Sequence, residues 1–383
     1  MQNTIYEYEE IKEENNRELK THIIDNSSLH QYFKLDWKDL KAKQYCGILN
    51  FNDQDFYILP KIANRNDEKN LNIFIYMLMY AYDVKLSNEQ IASCANEEHT
   101  ILEVFVQMFA NGLLQELKKG LYKEYLTKQD NLPVLKGKYL INENLKYNFT
   151  KNKIYCEYDE FSENNSLNQF FLYAVKYLQK FVNDKKLLKQ CELIFDEVEY
   201  KSVDINRVET INFNRLNVRF KISFEIALLL LRQFIPLFNQ DKNSFAFLFD
   251  MNILFEKFIA RMVKELDSNA KIQNQDNFGV LTLKPDIILK NQIIDTKYKK
   301  LNSLNDIKQS DKLQAFSYGI NYKVENVMLL YAKHLDNIKD DLVLGKDDKK
   351  VELKIRSIDL NFMGNDYKEY IDEIRKRMEN LNE

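Results

Sequence analysis

Asp286 stands directly after Pro285, and nine residues further on come Asp295, Thr296 and Lys297, within the segment LKPDIILKNQIIDTKYKK. Side chains alternate across a strand, so Asp295 and Lys297 project from the same side. Lys290–Asn291 is a polar turn between two apolar runs, which makes the segment a hairpin and puts Asp286 on the strand beside Asp295. Two carboxylates converging there would hold a hard divalent cation such as Mg²⁺ through oxygen ligands. A lysine beside them could orient, or help deprotonate, a metal-bound water for in-line attack on a phosphodiester. Ile287–Ile288–Leu289 and Ile293–Ile294 bracket these acids. Carboxylates set in buried strands are costly unless paired or bound to metal, so the apolar bracketing favours a site over a solvated charge run.

The flanking elements supply further candidates. Residues 245–266, FAFLFDMNILFEKFIARMVKEL, read as one amphipathic helix with Leu248, Met251, Phe255, Phe258, Met262 and Leu266 on its apolar face. Glu256, near Asn252 and Ala260 at the edge of that face, could reach the metal. After the lysine, a helix over about Ser310–Ile320 leads into a strand at Val327–Tyr331. Gln314 and Tyr318 lie four apart on one face of it, where each could hydrogen-bond a phosphate or hold the lysine. The order helix, strand, strand, helix, strand is that of an α/β core.

Upstream, residues 1–62 read as β-rich. QYCGILNFNDQDFYILPKI has two apolar runs separated by Asn52–Asp53–Gln54–Asp55, a hairpin signature, and Pro60 ends the second run. From Leu71 to about Leu117 the period turns helical, through Phe74, Met77, Tyr80 and Ala81 and then Ile101, Val104, Phe105, Met108 and Phe109. Short strands and turns return over 120–160. Helical blocks follow at about Ser166–Val182 and Arg219–Phe238, with a charged irregular segment, Asp196–Asn214, between them. Asp366–Leu381 reads as a last charged helix, and the run Lys346–Lys350 as a solvated loop.

Composition narrows the function classes. With 383 residues and 45% hydrophobic content the chain can bury a sizeable core and is no disordered polymer. Fifty-five basic against 58 acidic residues leave a net charge of −3, so nothing pulls the whole chain onto DNA or anionic lipid. Cys46, Cys94, Cys156 and Cys191 are far apart with no CxxC pair, against a zinc site or a disulfide framework. His22, His30, His99 and His334 match no metal-binding spacing, and no GxSxG suggests a nucleophilic serine. The acidic, polar first twenty residues hold no secretory signal. The longest apolar stretches, Ile73–Tyr82 and Ile226–Leu231, are too short to span a bilayer. A soluble, cytoplasmic protein is expected.

The constellation of Glu256, Asp286, Asp295, Lys297, Gln314 and Tyr318 resembles the PD-(D/E)xK nuclease superfamily. Within it the chain resembles the McrC family, the nuclease subunit of McrBC-type restriction systems. YCGILNFNDQDFYILPKI, GLYKEYL, LKGKY, CEYDEFSENNSLNQ and FLFDMNILFEKFIA resemble family landmarks in order over most of positions 45–331. The resemblance implies a Mg²⁺ site from Asp286, Asp295 and the Thr296 carbonyl, with Lys297 catalytic, Glu256 the helix acid, and Gln314 and Tyr318 in support. It implies a mixed α+β and α/β fold: a β-rich and helical N-terminal domain over 1–160, docking on a GTPase, then a nuclease domain over 161–383. The latter would comprise a helical part (161–240), a restriction-endonuclease-like core (about 244–335) and a C-terminal helix (366–381). The implied partners are double-stranded DNA and a hexameric McrB-like AAA+ GTPase, with no membrane. No GxxxxGK[ST] loop occurs, so this chain itself would bind no nucleotide. Lys61 and Arg65, basic residues just past the second N-terminal strand, are candidates to touch the GTPase, and Lys297, Lys299 and Lys300 to line a DNA path, with Lys308 and Lys312 nearby on that path or on a solvated face. Two other readings stand beside this one: a non-catalytic adaptor that stimulates NTP hydrolysis, and a stand-alone nuclease.

Overall fold

A computed structural model of the chain describes residues 3–11, 13–36, 39–52, 54–84, 100–150, 152–205, 208, 211–239, 242–299, 303–333, 339–347 and 349–382. Asp53, Cys94, His99, Lys300 and His334, named above, lie outside these. The chain opens with β1 (Thr4–Tyr6), α1 (Glu13–Asp25), β2 (Phe33–Asp36), β3 (Asp39–Ala42), β4 (Tyr45–Phe51), β5 (Gln54–Leu59) and α2 (Asp67–Ala81). There follow α3 (Ile101–Leu117), β6 (Glu124–Leu132), β7 (Lys138–Tyr139), α4 (Ile141–Tyr147), β8 (Ile154–Ser162), α5 (Ser166–Leu178), α6 (Lys186–Ile194) and α7 (Lys221–Gln233). Next come β9 (Phe234–Asn239), β10 (Lys242–Asp250), α8 (Met251–Leu266), β11 (Lys271–Ile272), β12 (Asp276–Phe278), β13 (Leu281–Leu283), β14 (Ile287–Ile288) and β15 (Gln292–Lys297). The chain closes with α9 (Gln309–Tyr322), β16 (Asn326–Ala332), β17 (Asp340–Lys346), β18 (Lys349–Ile358) and α10 (Tyr367–Glu379). The fold is mixed, with helices and several separate sheets.

Two compact units result, one of residues 1–101 with 235–383 and the other of residues 102–234. The division therefore falls at two points in the chain, not at a single cut near residue 160. The reason lies in β10. It pairs antiparallel with β4, from Phe245 opposite Asn50 to Asp250 opposite Tyr45, inside the five-stranded sheet β1-β5-β4-β10-β9. The N-terminal sheet is thus completed by strands that follow the second unit in sequence. Phe234–Phe238 and Phe245–Asp250, expected to be helical, are extended. Ala246 and Leu248 face a core with Leu49, Phe56 and Ile58, while Phe245, Phe247 and Phe249 are buried too. A strand buried on both faces has no polar alternation to set it apart from a buried helix. The helix begins at Met251, where the Asp250 carboxylate accepts from the Asn252 amide at 2.8 Å as its N-cap.

The expected N-terminal hairpin is present as β4–β5, closing at Phe51 opposite Gln54 with Asn52 at φ +53°. Glu7, just past β1, is 1% exposed. Its Oε1 accepts from the Lys61 amide at 3.0 Å and the Tyr298 hydroxyl at 2.6 Å, while Oε2 is buried without a partner. Burial pushes the Glu7 carboxyl up from the usual 4.5 to about 7. Between those values the folded state keeps a proton that the unfolded state releases, so stability falls as pH rises through that window. The loss amounts to about 3 kcal/mol above neutrality. Glu7→Gln keeps an acceptor for both donors and has no proton to lose. The variant is expected to match the wild type near pH 4.5 and to exceed it by about 2–3 kcal/mol at pH 8. Urea unfolding at the two pH values checks this, and a gap independent of pH would rule it out.

In the same unit the six-stranded sheet runs β11-β14-β15-β16-β18-β17. β14 and β15 pair antiparallel, β15 with β16 and β16 with β18 parallel. The apolar run VLTLKPDIIL is divided at Pro285 into β13 before it and β14 after it, because Pro285 has no N–H for a ladder. The segment around Lys346–Lys350 is solvent-facing, as expected, but forms the closed end of the β17–β18 hairpin, with Lys346 opposite Lys349. α9 covers one face of the sheet, placing Ala315 and Tyr318 against Ile293, Val327, Leu329 and Leu353.

The 102–234 unit holds the sheet β6-β8-β7 and helices α4 to α7 together with α3 from Leu102 onward. Asn165 caps α5 by accepting from the Asn168 amide, and the buried Asn168 donates to the carbonyls of Tyr122 and Glu163. Cys156 and Cys191 are free and buried here, and Cys46 in the other unit, as small apolar side chains would be. Asp196–Asn214 holds no α-helix or strand among its described residues.

Candidate active site

The hairpin turn before the site closes with the Leu289 amide donating to the Gln292 carbonyl at 2.8 Å, so Lys290–Asn291 are its two loop residues. Ile287 pairs with Ile294 and Ile288 with Ile293. One further step along that register sets Asp286 opposite Asp295. Both the Thr296 amide and the Thr296 hydroxyl donate to Asp286 Oδ2 at 2.7 Å, fixing the carboxyl in one orientation. Asp295 is 3% exposed, and its Oδ2 meets Lys297 Nζ at 2.5 Å. The alternation along β15 therefore does bring Asp295 and Lys297 to one side.

The electrostatics follow from that packing. Burial, then the charge of Asp286, pushes the Asp295 carboxyl up to about 6, against the pull of Lys297. Burial works to lower the Lys297 ammonium, but the charge and hydrogen bond of Asp295 outweigh it and hold Lys297 above its ordinary value. A lysine so held is a fixed cation that orients and donates. Glu256 is raised by burial and next by Asp286, so it sits within electrostatic reach of the pair. Its carboxylate is engaged by the Gln273 side-chain amide.

Gln314 and Tyr318 share one face of α9, as their spacing predicts. Lys297 Nζ points at Gln314 Oε1 (3.4 Å), Gln314 Nε2 donates to the Tyr318 hydroxyl (2.8 Å), and that hydroxyl donates to the Lys284 carbonyl (3.3 Å). Glu256, Asp286, Asp295, Thr296, Lys297, Gln314 and Tyr318 thus form one cluster. Lys61 and Arg65 lie elsewhere, where both pair with Glu9, and the Lys61 amide serves Glu7. Of the basic residues after the site, Lys299 pairs with the buried Asp311 at 3.1 Å, so its charge is already matched.

Four participants were not singled out from sequence: Gln273, Lys284, Asp311 and Tyr298. Asp311 acts on both Asp295 and Lys297. In sequence it looks like an ordinary acid in the first turn of a helix. Gln273 and Lys284 carry no spacing signal at all.

The donor set fits a hard divalent ion. Two carboxylates face each other at strand ends, and Asp295 is raised by burial and then by the charge of Asp286, a charge crowding that a cation would relieve. Among the described residues no three His, Cys, Asp or Glu side chains converge to enclose an ion by themselves. Mg²⁺ can be held by one or two carboxylates, with water and phosphate oxygens completing its octahedron. Among the described residues no helix is long and apolar enough to cross a membrane.

Fold and site together define a mixed α/β protein with a buried carboxylate–lysine cluster at the mouth of a sheet. The chain belongs to the McrBC 5-methylcytosine restriction system component family, whose sequence profile matches residues 40–332. Its fold is similar to a chain of the half-complex from a tetradecameric assembly of Thermococcus gammatolerans McrB AAA+ hexamers with bound McrC. That likeness has a TM-score of 0.60 at 21% identity, covering 99% of each chain. A chain of the Thermococcus gammatolerans McrBC complex matches with a TM-score of 0.48 at 24% identity, covering 68% of this chain and 86% of that one. No curated protein sequence matches.

Proposed function

We propose that this chain is the nuclease subunit of a McrBC-like restriction system, a Mg²⁺-dependent DNA endonuclease with a PD-(D/E)xK core that works with a GTP-dependent AAA+ ring. The observation that carries the reading is Asp286 facing Asp295 with Lys297 ion-paired to the latter, in a member of a restriction-system family. In this reading Asp286, Asp295 and the Thr296 carbonyl hold the ion. The bound ion supplies Lewis-acid charge at the scissile phosphate. Lys297, kept cationic by Asp295, holds a non-bridging phosphate oxygen and the attacking water in line. Gln314 limits the swing of the lysine, and Tyr318 fixes Gln314. Glu256, whose carboxyl is raised by burial and by the charge of Asp286, is placed to accept or return the proton that the water gives up.

The partner follows from the neighbouring structure, in which McrC is bound to McrB AAA+ hexamers. The near-balanced charge of this chain agrees with DNA being brought by another subunit. Plasmid cleavage tests the proposal, with the chain alone and with the AAA+ protein encoded beside it, each with and without GTP and Mg²⁺. Methylated and unmethylated plasmids are run in parallel. Cutting is expected only in the complete mixture and is expected to stop with EDTA. GTP turnover stimulated without any cutting would mark an adaptor instead, and cutting by the chain alone a self-sufficient nuclease.

A further inference from the structure

We propose that Glu7, 291 residues away from Tyr298 in sequence, is a positioning residue for Lys297, acting through its hydrogen bond to the Tyr298 hydroxyl. The proposal rests on the nuclease reading and extends it to the N-terminal sheet. β15 is registered against β16 as far as Lys297 opposite Tyr331, and there the ladder ends. The lysine therefore sits on the last rung, where strands fray. The next residue, Tyr298, is 1% exposed, and its side chain leaves the strand on the face opposite Lys297. Its ring lies 5.9 Å from that of Phe255 on α8, and its hydroxyl meets Glu7 Oε1 at 2.6 Å.

Glu7 is itself immobilised. Its amide donates to the Leu59 carbonyl at 3.0 Å, and its Oε1 also accepts from the Lys61 amide. Tyr8 and Cys46 also act on Tyr298 through space, Asp250 acts on Cys46, and the Lys61 charge acts on Glu7. Consecutive Cα atoms are about 3.8 Å apart, so fixing Tyr298 fixes the backbone of Lys297. A buried carboxyl with one oxygen unpartnered is destabilising. What it supplies is an anchor, on a second sheet, for the end of the strand that bears the lysine.

The test uses the full chain assembled with its AAA+ partner, GTP, Mg²⁺ and plasmid, read as single-turnover cleavage. Hydrogen exchange of residues 292–299 is followed in the same variants. Tyr298→Phe removes one oxygen atom, and Glu7→Ala removes the acceptor. Both are expected to slow cleavage by about 10- to 100-fold at saturating Mg²⁺ and DNA, with DNA affinity unchanged and faster exchange at 292–299. Glu7→Gln retains the acceptor and is expected to recover most of the rate. A folded Tyr298→Phe protein with wild-type cleavage and wild-type exchange overturns the proposal. So does Glu7→Gln as slow as Glu7→Ala, which would assign the effect to charge. If the wild-type assembly does not cut, or Lys297→Ala cuts equally well, the nuclease reading has failed. The exchange data then decide the tether alone, and unchanged exchange in Tyr298→Phe rejects it.

Discussion

Lys297→Ala is expected to reduce single-turnover DNA cleavage by the assembled complex on the order of 10³-fold, with DNA binding and GTP turnover retained. Two effects must be separated. The ammonium is 2.5 Å from Asp295 Oδ2, and the carboxylate is almost wholly buried. Removing the cation leaves that carboxylate without its partner, and a broken buried pair costs about 3–5 kcal/mol unless the acid takes up a proton. Loss of cleavage could then reflect loss of fold. Lys297→Gln separates the two, since its amide can still donate to Asp295 while the charge is gone. Thermal unfolding of both variants, set beside their cleavage rates, resolves the matter. Asp286→Asn gives a second line. An amide oxygen can still accept from the Thr296 amide and hydroxyl, so the hairpin end should hold while one anionic ligand is lost. Cleavage at low Mg²⁺ should fall further than cleavage at high Mg²⁺. A folded Lys297→Gln complex cutting within threefold of wild type would remove the lysine from the mechanism.

The second large effect is on stability. Gly47 lies at the middle of β4 with φ +146°, and a Cβ there would come 2.1 Å from the Phe247 carbonyl oxygen of β10. The clash is with backbone, which cannot swing aside as a side chain does. Strained backbone contributes about 1–3 kcal/mol and forced overpacking a similar amount. Gly47→Ala is therefore expected to lose about 3–5 kcal/mol, a large share of the about 5–15 kcal/mol that holds a domain together. The β4–β10 pairing ties the first residues of the unit to residues that follow the second unit. Its loss should loosen the N-terminal sheet as a whole. Gly112→Ala is the contrast: the helix there is regular, and the new methyl meets only Ser223 Oγ at an ordinary 3.6 Å. That variant should be about 0.5–1 kcal/mol more stable. Urea midpoints report both, and a Gly47→Ala midpoint equal to wild type would contradict the packing argument.

Local chemistry was legible in the sequence because it is carried by short periods. The β14–β15 hairpin follows from two apolar runs about a polar pair, and the common side of Asp295 and Lys297 from strand alternation. Gln314 and Tyr318 meet because residues four apart share a helix face. Hidden from the same arguments were elements whose identity depends on what covers them. Phe245–Asp250 is a run of apolar residues buried on both faces, and nothing in its own pattern distinguishes strand from helix. The register opposite β4 made the choice.

The partition into units was hidden for a related reason. Composition shifts mark boundaries only where a chain is divided once, whereas here a unit of residues 102–234 separates two parts of one sheet. What the amino-acid sequence alone determined was the set of candidate site residues, the hairpin that aligns two of its acids, and the spacing of their helix supports. What only the tertiary structure decided was which distant residues join them: Gln273 on Glu256, Asp311 beside the lysine, Glu7 behind Tyr298. The first and last of those contacts bridge gaps in sequence of 17 and 291 residues. No local period encodes them, because they arise when separate apolar surfaces are buried together and the polar groups carried inside must find partners.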